Sequence, residues 1–459
     1  MYTIHFNEPI HIHFIGIGGI SMSGLAEVLL QRGFTVSGSD AKSSSLTKEL
    51  EAKGAVIHYP QAAGNITDDL DVVVYTAAIH PDNPEFAACV AKGIPMLTRA
   101  ELLGQMMKNY ETPIAVAGTH GKTTTTSMVS HILMASDADP TISVGGILPS
   151  IGGNIRVGHS GTFLTEACEY TNSYHSFFPK ISIILNVDAD HLDFFRDLDD
   201  IYASFRKFAE LLPADGALII NADTDRYEEV AKDLPCTVLT YGLQSDAEFQ
   251  AKNITFNEMG FGSFTATRNG EEIGRFSLSV PGIHNVSNAL ATVALSCFMK
   301  LDIANVQKGL MEFGGTDRRF QYKGKVGDVT IIDDYAHHPT EIMATLKAAA
   351  NYPHRELWCV FQPHTYTRTK ALLPEFAEAL SHADHVVLAD IYAARETDNL
   401  GISSDDLREL ILEKGCECWY LPTFDEIETF LLKNCSPGDL LITMGAGDVV
   451  NIGEMLLGM

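Results

Sequence analysis

The sequence predicts an α/β protein of three successive domains, and three observations predict it. Apolar runs of strand length alternate with helical patterns along the chain. Two glycine turns each sit between such a run and a helix, the arrangement of nucleotide-binding α/β units. The 459 residues, at roughly 150 per domain, give a prior of three. Hydrophobic residues at 46% and charged residues at 20% are ordinary folded-protein values and exclude wholesale disorder.

The elements follow in order. The apolar run Ile12-His13-Phe14-Ile15, a glycine turn, a helical pattern over 21–31 and a second strand over 35–40 make a βαβ unit, with a further buried strand over 71–75. A linker is expected over 107–113, after which Ile114-Ala115-Val116-Ala117 opens a second block. That block carries strands over 162–165 and 181–186 and helices over 125–135 and 288–299, with an alternating insert over 238–280 that suits a side sheet. After Gly314-Gly315-Thr316, strands over 330–332, 357–361, 385–388 and 440–443 alternate with helices, so a third parallel sheet is expected. The expected domains are therefore 1–108, Rossmann-like; 109–316, a P-loop ATPase type with a central parallel sheet; and 317–459, again Rossmann-like.

Charge and cysteine usage narrow the function classes. Thirty-two basic against 59 acidic residues leave a net charge of −27, and no Lys/Arg stripe marks a nucleic-acid or anionic membrane surface. Anionic substrates would then need local devices, such as helix N-termini and a few placed cations. The eight cysteines are dispersed without a C-x-x-C pair, which suits reduced thiols rather than a disulfide framework or zinc site. The N-terminus shows no cationic stretch leading into an apolar one, and no apolar run approaches the ~18 residues of a membrane span. A cytoplasmic protein without membrane or nucleic-acid partners is expected.

Five motifs carry chemistry. Gly16-Ile17-Gly18-Gly19-Ile20-Ser21 lies between strand and helix, where glycines let the backbone approach a diphosphate. Asp40 follows 22 residues after Gly18, where a Rossmann domain places its ribose-reading carboxylate, but Ser21 replaces the third glycine of the fingerprint. A dinucleotide, another nucleotide diphosphate and a merely structural turn all remain open for this loop. Gly118, Thr119, His120, Gly121, Lys122, Thr123 and Thr124 form a P-loop-like run in the required strand–loop–helix context, although Val116 occupies the first glycine position of the general pattern. There the backbone N–H groups cradle phosphates, Lys122 meets the β/γ oxygens, and the Thr123 hydroxyl is a magnesium ligand. Glu166 and His191, each at or just after a strand end in the same block, have the chemistry to hold magnesium beside that loop. His284, Asn285 and Asn288 open the helix of the second block, where Asn can also serve as a plain N-cap. The fifth group comprises Arg318-Arg319, Asp333-Asp334, His337-His338-Pro339-Thr340-Glu341 and Gln362-Pro363-His364-Thr365-Tyr366-Thr367-Arg368 at the start of the third block; helix entry and a solvated linker are its bland readings.

Together the G-T-x-G-K-T-T loop, Glu166, Asp190-His191, His284-Asn285 with Asn288, and Arg318-Arg319 resemble the Mur ligases of peptidoglycan synthesis, over essentially the whole chain. Residues 16–24, 333–341 and 361–369 resemble in particular the members that join L-alanine to UDP-N-acetylmuramate. The resemblance implies an N-terminal domain for the UDP sugar, a central ATPase and a C-terminal domain that brings the amino acid. It also implies ATP and Mg2+ as cofactors, and an acyl phosphate that the amine of L-alanine attacks. On that footing Gly16, Gly18, Gly19, Ser21 and Asp40 hold the sugar nucleotide. ATP falls to residues 118–124 with Asn285, Asn288, Arg319 and Asp334, and metal to Thr123, Glu166 and His191. Lys122, Glu166, His191, Arg319 and His338 are the implied catalytic set, and His337, His338 and Arg368 lie toward the amino acid.

Two departures from relatives stand out. Where some carry a carbamylated lysine, about fourteen residues past the histidine, this chain has Phe205 followed by Arg206 and Lys207, so no such modification is expected. Where some have arginine, it has Thr365, leaving Arg368 as the one arginine of that segment for the alanine carboxylate. A relative that attaches a tripeptide to the same sugar nucleotide, a nicotinamide-dependent oxidoreductase and a non-catalytic nucleotide sensor are the rival readings.

Overall fold

The computed structural model describes residues 2–76, 78–394 and 396–459. The chain is a three-domain α/β protein whose strands fall mainly into parallel sheets. It divides into two compact units: Met1–Thr126, Leu133–Val187 and Tyr202–Leu239 in the first, and Ser127–Ile132, Asp188–Ile201 and Thr240–Met459 in the second.

The first unit opens with β1 (His11–Ile15), β2 (Thr35–Ser39), β3 (Val56–His58), β4 (Val72–Tyr75) and β5 (Met96–Thr98), all parallel in the order β3-β2-β1-β4-β5. This order reverses between β1 and β4, which opens a crevice at the strand C-termini beside the loop that follows β1. The strands are short apolar runs because helices cover both faces of such a sheet, leaving little side chain in water. Ile12, Phe14, Ile15, Val72, Val73 and Val74 are fully buried.

The same unit continues with β6 (Thr112–Ala117), β7 (Thr141–Leu148), β8 (Gly153–Arg156), β9 (Thr162–Ala167), β10 (Ile181–Ile184) and β11 (Ala217–Asn221). β6 is central: β9 and β10 flank it in parallel register, Val116 opposite Glu166 and Ala117 opposite Ile184. β7 lies outside β9, and β8 folds back on it as an antiparallel hairpin. No strand is expected from the sequence between 136 and 161, so this hairpin, with glycines at 145, 146, 152 and 153, is an addition.

In the second unit, β13 (Phe249–Phe256) runs parallel to the end of β12 (Thr237–Gly242), and β14 (Phe261–Arg268) and β15 (Glu271–Pro281) follow as an antiparallel meander. The alternating insert thus forms the expected side sheet. The third sheet has β16 (Gln321–Val326), β17 (Val329–Asp334), β18 (Leu357–Phe361), β19 (His385–Leu388), β20 (Glu417–Tyr420) and β21 (Leu440–Met444) in the order β16-β17-β21-β18-β19-β20. Alternate residues feed two cores: Ile332, Cys359, Phe361, Val386 and Ile442 on one face, Ile331, Trp358, Val360, Val387 and Leu441 on the other. β16 is the exception to the parallel expectation, antiparallel to β17 across Gly327 and Asp328. Both turn residues have positive φ, +54° and +65°, as a two-residue hairpin requires.

Candidate active site

The loop after β6 is a tight glycine turn that leads into a helix N-terminus. Gly118 adopts φ +142° with its Cα against Leu185, so that any Cβ would lie 2.9 Å from the leucine Cβ. Gly121 at φ +84° turns the chain into the helix Lys122–Ala135. The helix therefore starts three residues before the expected 125, and Lys122, Thr123 and Thr124 form its first turn. Asn186, just past β10, clamps the loop: its Oδ1 accepts from His120 N at 2.8 Å, its Nδ2 donates to His120 O at 3.0 Å, and its carbonyl accepts from Thr119 N at 3.2 Å.

Lys122 folds back over this loop. Its Nζ donates to Gly118 O at 2.5 Å and Thr119 O at 3.0 Å, and pairs with the buried Glu169 carboxylate at 3.0 Å. Burial alone would lower the lysine pKa; the charge of Glu169 foremost, then Cys168 and Glu166, outweighs it and holds the ammonium well above its ordinary value. Glu166, in β9 beside the loop, accepts from Thr123 Oγ1 at 3.1 Å and from Gly145 N at 2.5 Å. Gly145 has to be glycine, because a Cβ there would sit 2.6 Å from Glu166 Oε2. A hydroxyl and a carboxylate are thus brought together at the helix end of the loop. Among the described residues, no group of three or more His, Cys, Asp or Glu converges as a metal cluster.

The first glycine loop is equally constrained. Gly16 takes φ +84°, and Gly16 N and Ile17 N donate to Ser39 O at 2.9 and 3.0 Å. Gly18 N donates to Asp40 Oδ2 at 2.8 Å, and a Cβ on Gly18 would meet that same oxygen. Asp40 therefore touches the loop itself. Gly19 caps the helix Ile20–Gln31, whose first turn carries Ser21. The Ser21 hydroxyl accepts from Arg99 Nη1 at 3.1 Å. Arg99 opens the helix Arg99–Met107 directly after β5, half-buried at the same sheet edge. Sequence inspection passed over it; the capping box Thr98-x-x-Glu101 marks the strand-to-helix corner that places it.

The remaining residues gather in the second unit. Gly282, at φ +96°, precedes the helix Ile283–Phe298 without a side-chain cap, so the plain N-cap reading does not hold. His284, Asn285 and Asn288 lie inside the helix. Asn285 Nδ2 donates to Pro281 O at 2.7 Å and Asn288 Nδ2 to Asn285 Oδ1 at 3.2 Å. Burial, with Arg319 adding to it and Glu341 opposing, lowers the His284 pKa to about 4.

The paired residues of the third block separate cleanly. Arg318 spends its guanidinium on Asp333 Oδ2 at 3.0 Å, Gly445 O at 2.7 Å and Gly447 O at 3.1 Å, bracing the third sheet. Asp333 also accepts from Thr443 Oγ1 at 2.7 Å. Arg319 instead approaches Glu341 at 3.7 Å and lies over the Tyr335 ring. Asp334 accepts from Phe320 N and Ala336 N, both at 2.8 Å, while burial, only partly offset by Arg319, lifts its pKa to about 6.

His338 caps the helix Pro339–Ala349, accepting from Thr340 N at 3.3 Å, and its Nε2 lies 3.1 Å from Ala189 O. His337 lies 3.4 Å from Glu341, and burial lowers its pKa to about 4. Arg368, on the short helix Tyr366–Ala371, pairs with Asp190 at 3.1 Å. His191 follows Asp190 at φ +54°. The structure thus brings Asp190, His191, Arg368, His337 and His338 into one neighbourhood, and Asp190 was the member without an assigned role.

Family models cover nearly all of the chain: the Mur ligase family catalytic domain matches residues 11–111, the Mur ligase middle domain 116–296, and the Mur ligase glutamate ligase domain 318–447. A UDP-N-acetylmuramate--L-alanine ligase of Agathobacter rectalis is 64% identical over 457 residues, covering 100% of both chains. The crystal structure of a UDP-N-acetylmuramate-alanine ligase from Thermotoga maritima matches with a TM-score of 0.81 and 29% identity over 98% of each chain. A murein peptide ligase from Psychrobacter arcticus matches with a TM-score of 0.70 and 25% identity, also over 98% of each.

Proposed function

The chain belongs to the Mur ligase family, and on that premise we propose that it joins L-alanine to the lactyl carboxylate of UDP-N-acetylmuramate, driven by ATP. The observation that carries the reading is the full-length 64% identity to a ligase of that name. The murein peptide ligase is more distant, at 25% identity, so the tripeptide reading is not favoured. A nicotinamide-dependent oxidoreductase has only the first glycine loop in its support, and a sensor need not keep the loop lysine with its carboxylates.

In the proposed reaction a lactyl carboxylate oxygen attacks the γ-phosphorus of ATP, releasing ADP and leaving an acyl phosphate. The neutral amine of L-alanine attacks the acyl carbon, phosphate leaves, and the amine proton is lost. A carboxylate is a poor electrophile, and phosphorylation supplies its leaving group. Lys122 bears on the transferring phosphoryl oxygens from the first turn of its helix, where N–H donors also converge.

Thr123 and Glu166 offer an all-oxygen donor set 3.1 Å apart, which fits magnesium held by few protein ligands with phosphate and water completing the shell. His191 is proposed as a further ligand. When bound, the ion would neutralise charge on phosphate oxygens. Asn285, Asn288, Arg319 and Asp334 are assigned to ATP. Arg319 and Asp334 are preferred over Arg318 and Asp333 because the latter two are bonded to each other and to the sheet. Gly16, Gly18, Gly19, Ser21 and Asp40, with Arg99 added, are assigned to the sugar nucleotide, and His337, His338 and Arg368 to the amino-acid side.

Domain limits of 1–108, 109–316 and 317–459 follow the same reading, each with one ligand. A cytoplasmic setting is part of the proposal, supported by cysteines that are all free thiols. Among the described residues no helix is long and apolar enough to cross a membrane. The deciding experiment is ADP release with UDP-N-acetylmuramate across a panel of amino acids and a tripeptide. Release driven by L-alanine is expected; release driven only by the tripeptide overturns the assignment.

A further inference from the structure

Asp190 and Arg368 are 178 positions apart in the chain and form one bonded pair in the second unit. Asp190 Oδ1 accepts from Arg368 Nε at 3.2 Å, from Nη2 at 3.1 Å and from the backbone N–H of His191 at 2.7 Å. Both side chains are nearly withdrawn from solvent, at 12% exposure for the arginine and 8% for the aspartate. On its other side, Arg368 Nη1 lies 3.3 Å from His364 Nδ1, which must accept because a guanidinium has no lone pair to offer.

A guanidinium carries five N–H donors in a rigid plane. Asp190 takes two of them and His364 one. What is left is one N–H on each terminal nitrogen, the pair that a carboxylate engages in a two-point bond. The carboxylate and the guanidinium thus hold each other in place at 3.1 Å, so the arginine needs little ordering when a ligand arrives.

We propose that Asp190 is the positioning residue for Arg368, holding the guanidinium by its Nε/Nη2 edge so that the two remaining N–H groups are reserved for the carboxylate of the incoming amino acid. The role rests on the assignment of Arg368 to the amino-acid side made above. An Arg368 without this partner keeps its charge but loses its fixed plane, so binding of the amino acid weakens while phosphoryl transfer is spared.

The test is a double-mutant cycle in the full-length enzyme with Asp190→Asn, Arg368→Ala and the two combined. Michaelis constants for L-alanine, ATP and UDP-N-acetylmuramate are measured with kcat and the magnesium requirement. Asp190→Asn keeps the size of the side chain and removes its charge. It is expected to raise the L-alanine constant about tenfold or more, as for loss of a charge-assisted bond. The ATP and magnesium constants should stay within about threefold, inside the scatter of such measurements. Asp190→Glu, which keeps the charge, should recover part of the loss. The double variant should be no worse toward L-alanine than Arg368→Ala alone.

Effects that add in the double variant, or a defect confined to magnesium, overturn the positioning role and leave Arg368 as the carboxylate contact. An unchanged L-alanine constant in Arg368→Ala removes that contact itself, and the positioning role with it. Should Asp190→Asn fold poorly, Asp190→Ser carries the same expectations and the same overturning results.

Discussion

Glu169 Oε2 lies 3.0 Å from Lys122 Nζ, and the carboxylate is only 2% exposed. The lysine of the phosphate loop is therefore held by a buried counter-ion on β9's outgoing loop as well as by the carbonyls of Gly118 and Thr119. A resting ammonium so held is kept charged and aimed, and it can exchange carbonyl partners for phosphate oxygens without leaving its ion pair.

Lys122→Ala should abolish ligation, by on the order of 10³-fold or more, as for loss of a transition-state cation, while UDP-N-acetylmuramate still binds. It should also destabilise the protein by about 3–5 kcal/mol, because the buried Glu169 loses the Lys122 ammonium at 3.0 Å. Adding Glu169→Gln should restore much of the stability and none of the activity. Thermal unfolding of wild type and the two variants beside an ADP assay checks both halves; a double variant no more stable than Lys122→Ala would show that the pair carries little of the fold.

Glu166→Gln and His191→Ala should each raise the magnesium requirement and suppress acyl phosphate formation. Glutamine preserves the contacts to Thr123 and Gly145 in shape but not in charge. Magnesium titrations at fixed ATP decide between ligation and packing: curves that superimpose on wild type would reduce both residues to structure.

Arg99→Ala should weaken the sugar nucleotide selectively. Its guanidinium meets Ser21 beside the first glycine loop, in a protein whose net charge of −27 repels anions elsewhere. Loss of a charge-assisted contact to a diphosphate costs about 1.5–3 kcal/mol, or roughly 10- to 150-fold in affinity. Lysine at this position should rescue only in part, lacking the fork. Calorimetric titration with UDP-N-acetylmuramate and, separately, with ATP reads the result, and an equal loss for both ligands would count against the assignment.

Stability should fall as the pH drops from about 6.5 to 4. Burial lowers His284 and His337 to about 4 from 6.5, so the unfolded chain takes up these protons first. Their contribution is complete above the unfolded value and is lost as the pH falls through the folded one. Asp334 acts in the opposite sense: raised from 3.8 to about 6 by burial, it stabilises below 3.8 and loses that effect as the pH rises through 6. Two groups against one leave a net loss toward acid. Urea midpoints from pH 7 to 4 should show this decline, and His284→Gln should flatten it; an unaltered slope in that variant would place the acid sensitivity elsewhere.

Much of the fold and the geometry of the candidate phosphate loop was legible in the sequence because the signals are local. A P-loop is a contiguous run whose glycines, lysine and threonine act through the backbone geometry of one strand–loop–helix corner, and residues 118–124 adopt it. Strand-length apolar runs marked the parallel sheets for a similar reason, since burial on both faces leaves a near-continuous apolar stretch in the chain. The edges were harder. β16 and the β7–β8 hairpin are half-exposed or glycine-rich, and glycine in a strand reads as a loop until the group that needs the space, here Glu166 against Gly145, is known.

What the sequence by itself determined is the family and the order of the three α/β domains, because these are properties of contiguous motifs. Tertiary structure alone decided which of two adjacent arginines and aspartates braces the sheet, that Glu169 and Asn186 hold the phosphate loop, that Arg99 stands at the first glycine turn, and that Asp190 grips Arg368. Those partners lie between 15 and 178 positions apart. The physical reason is that a hydrogen bond depends on distances of about 3 Å and on direction, and for side chains on different elements both are set by how strands register and loops close.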